Sequence, residues 1–156
     1  MTVNDIRLRD RIRAEQVSDG MAAPLLQLLY YASDRLREEL PPNRFYEPLL
    51  TLERDGSATW SGKFMSEGPF GIRDVIGFNL ARFRTADDML ITLAHELAHW
   101  SCQDTAPGHS EEWQYVLRDR LGIVCSSDGS YRYHSGKWME LEQELNVEAM
   151  KGIRVS

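Results

Sequence analysis

Leu25, Leu28, Leu29, Ala32 and Leu36 recur at the three- and four-residue spacing of one helix face, and Pro41-Pro42 ends the run. A core helix is therefore expected over residues 24–40. Leu90, Leu93, Leu97 and Trp100 share one side of a second helix. Thr85 opens it as N-cap, and Asp87 and Asp88 place negative charge where free amides and the positive dipole end lie. Trp113, Val116, Leu117 and Leu121 mark a third helix between the Pro107-Gly108 break and Gly122, a glycine suited to a helix C-terminus. Residues 137–150 are acidic and read as a fourth. Residues 49–54 and 57–64 flank Asp55-Gly56, a short-range hairpin signal that predicts two antiparallel strands. Residues 75–80 read as a further strand after the loop Gly68-Pro69-Phe70-Gly71, and residues 124–134 as a short hairpin about Asp128-Gly129. The expected fold class is α+β: a small mixed or antiparallel sheet packed on the second helix, with the third helix beside it.

Composition narrows this picture. The chain has 156 residues, 42% hydrophobic and 27% charged, enough to bury one core without splitting. A single domain is expected over residues 21–156. Residues 1–20, where Arg7, Arg9, Arg11 and Arg13 alternate with other types, read as an N-terminal segment, helical or flexible. No apolar run approaches the roughly eighteen residues of a membrane span, and no signal-peptide core precedes the domain, so a cytoplasmic location is expected. The two cysteines, Cys102 and Cys125, are expected as reduced thiols. Cys102 is read as a packing residue, with oxidation sensing as the alternative. Net charge is -6, and the 18 Lys and Arg are spread evenly along the chain, so no phosphate-binding stripe declares itself. Arg73, Arg82 and Arg84 are the local candidates for contacting a polyanion, against a plain reading as solvated charge.

Candidate chemistry lies in the histidines. Three of the four fall within fifteen residues, as His95-Glu96-Leu97-Ala98-His99 and then His109. At about 100° per residue, His95 and His99 lie together nearly opposite the leucine stripe, facing a cleft rather than the core. Glu96 projects to their flank, displaced from the ligand positions and placed to act as a general base. The plain alternative is a pair of solvent-facing histidines bonded to carboxylates. Three neutral imidazoles suit one catalytic Zn2+ and leave a fourth tetrahedral position open for water, which points to peptide-bond hydrolysis. The third ligand is His109, or else Glu111 or Glu112 from the following helix, with Asp104 also open should His109 prove dispensable. A metzincin pattern is excluded, because Cys102 and Thr105 stand where it needs glycine and the next ligand.

His-Glu-Leu-Ala-His, about ten residues, then Gly-His-Ser-Glu-Glu-Trp resembles the SprT-like zinc metallopeptidase family, which includes the Spartan proteases that degrade proteins crosslinked to DNA. The resemblance covers residues 55–121. It implies a zincin-like fold with His95, His99 and His109 as zinc ligands and Glu96 as catalytic acid and base. It also implies an extended substrate added at a sheet edge near the metal helix. Many members carry a C-terminal zinc ribbon, for which Cys102 and Cys125 are too few ligands, and Ser110 replaces a glycine often found after the third histidine.

The expected function is a zinc-dependent endopeptidase acting on protein or peptide substrates, DNA-associated proteins among them. Two others stand beside it: a protease switched on by nucleic acid, and a non-catalytic zinc-stabilised binding module in a DNA-associated or mobile-element system. Tyr131, Tyr133 and His134 are candidates for an oxyanion donor, against packing in a strand. Trp100 and Trp113 are read as core anchors before substrate contacts.

Overall fold

The computed structural model describes residues 22–41, 47–65, 74–83, 88–102, 109–126, 128 and 130–145. The expectations for residues 1–20, for the Thr85 cap and for Asp104, Arg73 and Arg84 lie outside them. Helix α1 spans Ala22–Arg37 and buries Leu25, Leu26, Leu29, Ala32 and Leu36, the stripe expected from spacing except that Leu28 is only partly covered. Its Tyr30 hydroxyl accepts a 2.9 Å hydrogen bond from the Leu50 amide, which docks the helix on the sheet.

The sheet departs from the expected hairpin. Strands β1 (Leu49–Glu53) and β2 (Gly62–Met65) do not pair with each other; β3 (Val75–Asn79) lies between them, parallel to β1 and antiparallel to β2. Two physical reasons account for this. All five residues of β3 are buried, and its near-continuous apolar run suits a central strand, whereas β2 is half-exposed and suits an edge. Asp55-Gly56 also makes no two-residue turn. Asp55 Oδ1 accepts from the Ser57 amide (3.0 Å) and hydroxyl (2.6 Å), curling the chain locally.

The wide loop is then pinned to the end of β3 by one side chain. Asn79 is wholly buried; its Oδ1 accepts from the amides of Asp55 (3.0 Å) and Ala81 (3.1 Å), and its Nδ2 donates to the carbonyls of Asp55 (3.0 Å) and Trp60 (3.1 Å). Every polar group of the buried amide is satisfied, which makes it a clamp rather than a burden. Exposed Arg82 adds a bond from Nε to the Ala58 carbonyl (2.8 Å).

Helix α2 (Asp88–Cys102) runs against the sheet and α1. The expected stripe of Leu90, Leu93, Leu97 and Trp100 is buried, and so are Met89, Ala94, Ala98, Ser101 and Cys102, so α2 is more enclosed than a surface amphipathic helix. Helix α3 (Glu111–Tyr115) begins at Ser110, whose hydroxyl accepts from the Trp113 amide (3.2 Å), and widens into a π turn over Val116–Arg120. Trp113, Val116, Leu117 and Leu121 face the core as their spacing foretold. The second hairpin forms as expected: β4 (Ile123–Cys125) pairs antiparallel with β5 (Tyr131–Tyr133). Helix α4 (Lys137–Glu144) buries Trp138 and Leu141 and ties back to α1 through Lys137 with Glu39 (2.7 Å) and Arg35 with Glu144. The architecture is α+β, and one cluster of buried side chains runs through all four helices and both sheets. Among the described residues no helix is long and apolar enough to cross a membrane.

Gly122 closes α3 with φ +76°, as anticipated for a C-terminal glycine. A Cβ there would also lie 2.9 Å from Lys137 Cβ, 2.9 Å from Ser135 Oγ and 3.0 Å from the Trp138 amide nitrogen. Backbone strain and collision therefore add, and Gly122→Ala is expected to destabilise the fold by about 2 kcal/mol in denaturant unfolding. Unchanged stability would mean that the turn into α4 relaxes freely.

Candidate metal centre

His95 and His99 lie one turn apart on the same side of α2. His109 comes from the segment entering α3, where Gln114 Nε2 donates to its carbonyl (3.2 Å) and the Ser110 cap fixes the next residue. His95 Nε2 stands 3.2 Å from His99 Nε2 and 3.1 Å from His109 Nε2. Among the described residues, these three form the cluster whose donor atoms all lie within 4.8 Å of one another. Glu111 and Glu112, the alternatives to His109, sit exposed in the first turn of α3 and are not part of it.

Trp113 forms the floor. It is wholly buried, stacks on His109 (centroids 4.3 Å, 24° between planes) and on His99 (5.0 Å, 20°), and meets His95 at a steep angle (4.7 Å, 64°). Its Nε1 donates to the His95 carbonyl (3.2 Å). The core anchor expected from sequence is thus also the surface against which all three imidazoles rest, a role that helical spacing does not signal.

The donor set is close enough to share one cation. Nitrogens about 2.0–2.1 Å from a common centre at tetrahedral angles stand about 3.3 Å from one another, close to the two separations measured from His95 Nε2. Hydrogen bonding alone accounts for them poorly, since one imidazole nitrogen offers a single proton or a single lone pair and His95 Nε2 has two close neighbours. A cation takes all three lone pairs at once.

Electrostatics agree. Burial, and then the neighbouring His99 and His109, push His95 down to about 3; burial and then His109 push His99 down to about 4. Both are neutral imidazoles at neutral pH, the form a metal ion would need. Burial alone pushes Glu96, 5% exposed, up to about 7. Its Oε1 lies 3.9 Å from His95 Nε2, beside the convergence point rather than within it.

The chain matches no protein-family model, no curated protein and no solved structure.

These shifts set the pH response of the metal-free protein. From pH 6.5 to 4.5, the unfolded chain takes up two histidine protons that the fold refuses, while the fold holds one Glu96 proton that the unfolded chain lacks. Unfolded protein binds more protons on balance, so stability is expected to fall as pH drops through this window. Glu96→Gln removes the opposing contribution and steepens the fall, toward about 1.4 kcal/mol more per pH unit. Denaturant unfolding with chelator present reads both slopes. Equal slopes would mean that Glu96 ionises as freely in the fold as in the unfolded chain.

Gly62 explains how the sheet approaches Glu96. A Cβ on Gly62 would lie 2.5 Å from Thr92 Cγ2 and 3.3 Å from Glu96 Cγ, so only glycine lets β2 rest against this part of α2. The oxyanion candidates are placed differently from their expected role. The Tyr131 hydroxyl is 2.7 Å from His95 Nδ1, the ring nitrogen that points away from the cluster; Tyr133 donates to Glu142 (3.2 Å); His134 lines a cavity of about 260 Å³ with Arg118 and Arg132. Cys102 is buried and Cys125 half-buried, and neither forms a disulfide among the described residues; burial pushes the Cys102 thiol up, which favours packing over oxidation sensing.

Proposed function

We propose that this protein is a zinc-dependent endopeptidase of the SprT-like type, with His95, His99 and His109 as zinc ligands and Glu96 as general base and acid. The observation that carries the proposal is the convergence of three imidazole Nε2 atoms beside a buried carboxyl whose pKa is pushed to about 7. Neutral imidazoles suit zinc, and three of them leave a fourth position open, the mark of a catalytic rather than a structural site. When bound, the cation supplies Lewis acidity that lowers the pKa of a water in the open position to about 7.

The chain's own residues supply the rest. Glu96, balanced near neutrality, takes the proton of the attacking water and returns it to the leaving amine. Trp113 and the Gln114 bond keep the imidazoles from swinging apart. Gly62 holds β2 against α2 beside Glu96, and β2 pairs on one side only with a described strand, β3. Its other edge would take an extended peptide by backbone hydrogen bonds, bringing a carbonyl toward Glu96. A helix-borne histidine pair, a third imidazole from the segment entering the next helix and an adjoining edge strand support the zincin-like reading.

Purified protein is expected to hold stoichiometric zinc and to cleave an unfolded protein; a chelator should stop cleavage and added zinc restore it. Failure to take up zinc, or cleavage indifferent to chelation, overturns the proposal. The resemblance extends the substrate class to DNA-associated proteins. Cleavage with single-stranded DNA at low and moderate salt tests that extension, because phosphate-driven activation weakens as salt rises.

A further inference from the structure

The contacts behind His95 suggest a direction. His95 Nδ1 lies 2.7 Å from the Tyr131 hydroxyl, and the Cys125 thiol donates to the Ser126 carbonyl (3.6 Å). Tyr131 and Cys125 are cross-strand partners on β5 and β4, so the hairpin itself sets their spacing. The Ser126 carbonyl can only accept. With the thiol proton spent on that carbonyl, the sulfur facing Tyr131 across the hairpin can only accept, and a tyrosine O–H turned toward it leaves the phenol oxygen to accept from His95 Nδ1–H. His95 then carries its proton on Nδ1 and presents a bare lone pair on Nε2, the atom that faces His99 and His109.

We propose that Tyr131 is a positioning residue that fixes His95 in its ligand tautomer, with Cys125 holding the tyrosine hydroxyl in accepting orientation. The inference rests on the metal-site reading above. Metal-binding histidines commonly hand their other N–H to a carboxylate, a carbonyl or water. Here a neutral phenol takes that place. It orients the ring without lending it the negative charge of a carboxylate, leaving the cation more strongly electron-withdrawing. The arrangement also gives the β4–β5 hairpin a purpose in the site, although it contributes none of the three converging imidazoles.

Tyr131→Phe keeps the ring and removes the acceptor. In zinc competition against a chromophoric chelator, its affinity is expected to fall roughly 10–100-fold. A packing role would not move a second readout: in zinc-loaded, nitrogen-15-labelled parent the His95 Nδ1–H resonance is expected to be visible and slow to exchange, and in Tyr131→Phe to be lost to solvent exchange. Cys125→Ala is expected to weaken zinc by a smaller factor and Cys125→Ser to restore it, which keeps the test decisive if Tyr131→Phe folds poorly. Parent-like zinc affinity and a retained Nδ1–H resonance in folded Tyr131→Phe would overturn the inference while leaving the zinc site standing. A parent that takes up no zinc would overturn both, and a parent that binds zinc without cleaving would overturn only the peptidase reading.

Discussion

Glu96→Gln is expected to reduce cleavage of an unfolded protein by roughly 10²–10⁴-fold while leaving zinc content unchanged. Three features set this outcome. Glutamine has the size and shape of the carboxyl it replaces, so the contact of Glu96 with Gly62 survives and β2 keeps its place on α2. The carboxyl stands beside the three Nε2 atoms and is not among them, so the ligand set is untouched. An amide cannot take a proton from water, so the lost rate belongs to proton transfer alone. Cleavage and zinc content are read on the same preparation. Cleavage equal to the parent would refute the role given to Glu96, whereas zinc binding without cleavage in the parent itself would favour the zinc-stabilised binding module.

His109→Ala is expected to lose stoichiometric zinc on dialysis and all cleavage with it. His109 is the one member of the triad carried outside α2, and its ring is exposed, so its removal takes a donor away without opening the core. The two remaining nitrogens, 3.2 Å apart on consecutive turns, supply half of a tetrahedral shell. Elemental analysis beside a melting curve of the metal-free protein separates metal loss from unfolding. Zinc retained at parent level would mean that Glu111, Glu112 or Asp104 completes the shell, and the third ligand would have to be reassigned.

The first prediction concerns a residue that was legible from spacing, whereas His109 was chosen over the nearby glutamates by residue type. His95, Glu96 and His99 are four or fewer residues apart, and helical geometry alone says which of them share a face. Gly122 was legible for the same kind of reason, since a positive φ at a helix end leaves a mark in one residue. What escaped is carried by contacts between elements far apart in the chain. Asn79 read as an ordinary strand position, and nothing local reveals that its amide binds the loop 24 residues earlier. That clamp, with the buried character of β3, is why the Asp55-Gly56 signal produced a loop and β3 came to lie between the strands it was expected to join. Gly62 lay inside a run read as regular strand, and its value depends on Thr92 and Glu96 on a different element. Tyr131 was noticed for its hydroxyl only as one of three oxyanion candidates, against plain packing in a strand. Only the fold shows that the hydroxyl faces the rear of His95. The position of Trp113 was anticipated, but the number of imidazoles resting on it was not.

The indole of Trp113 belongs at once to the hydrophobic interior and to the imidazole cluster, through two stacked rings and a bond to the His95 carbonyl. The core and the imidazole cluster are therefore one cooperative unit. On heating, the geometry of the cluster and tertiary order are expected to vanish together in a single transition, leaving no temperature range in which an intact scaffold surrounds a molten centre.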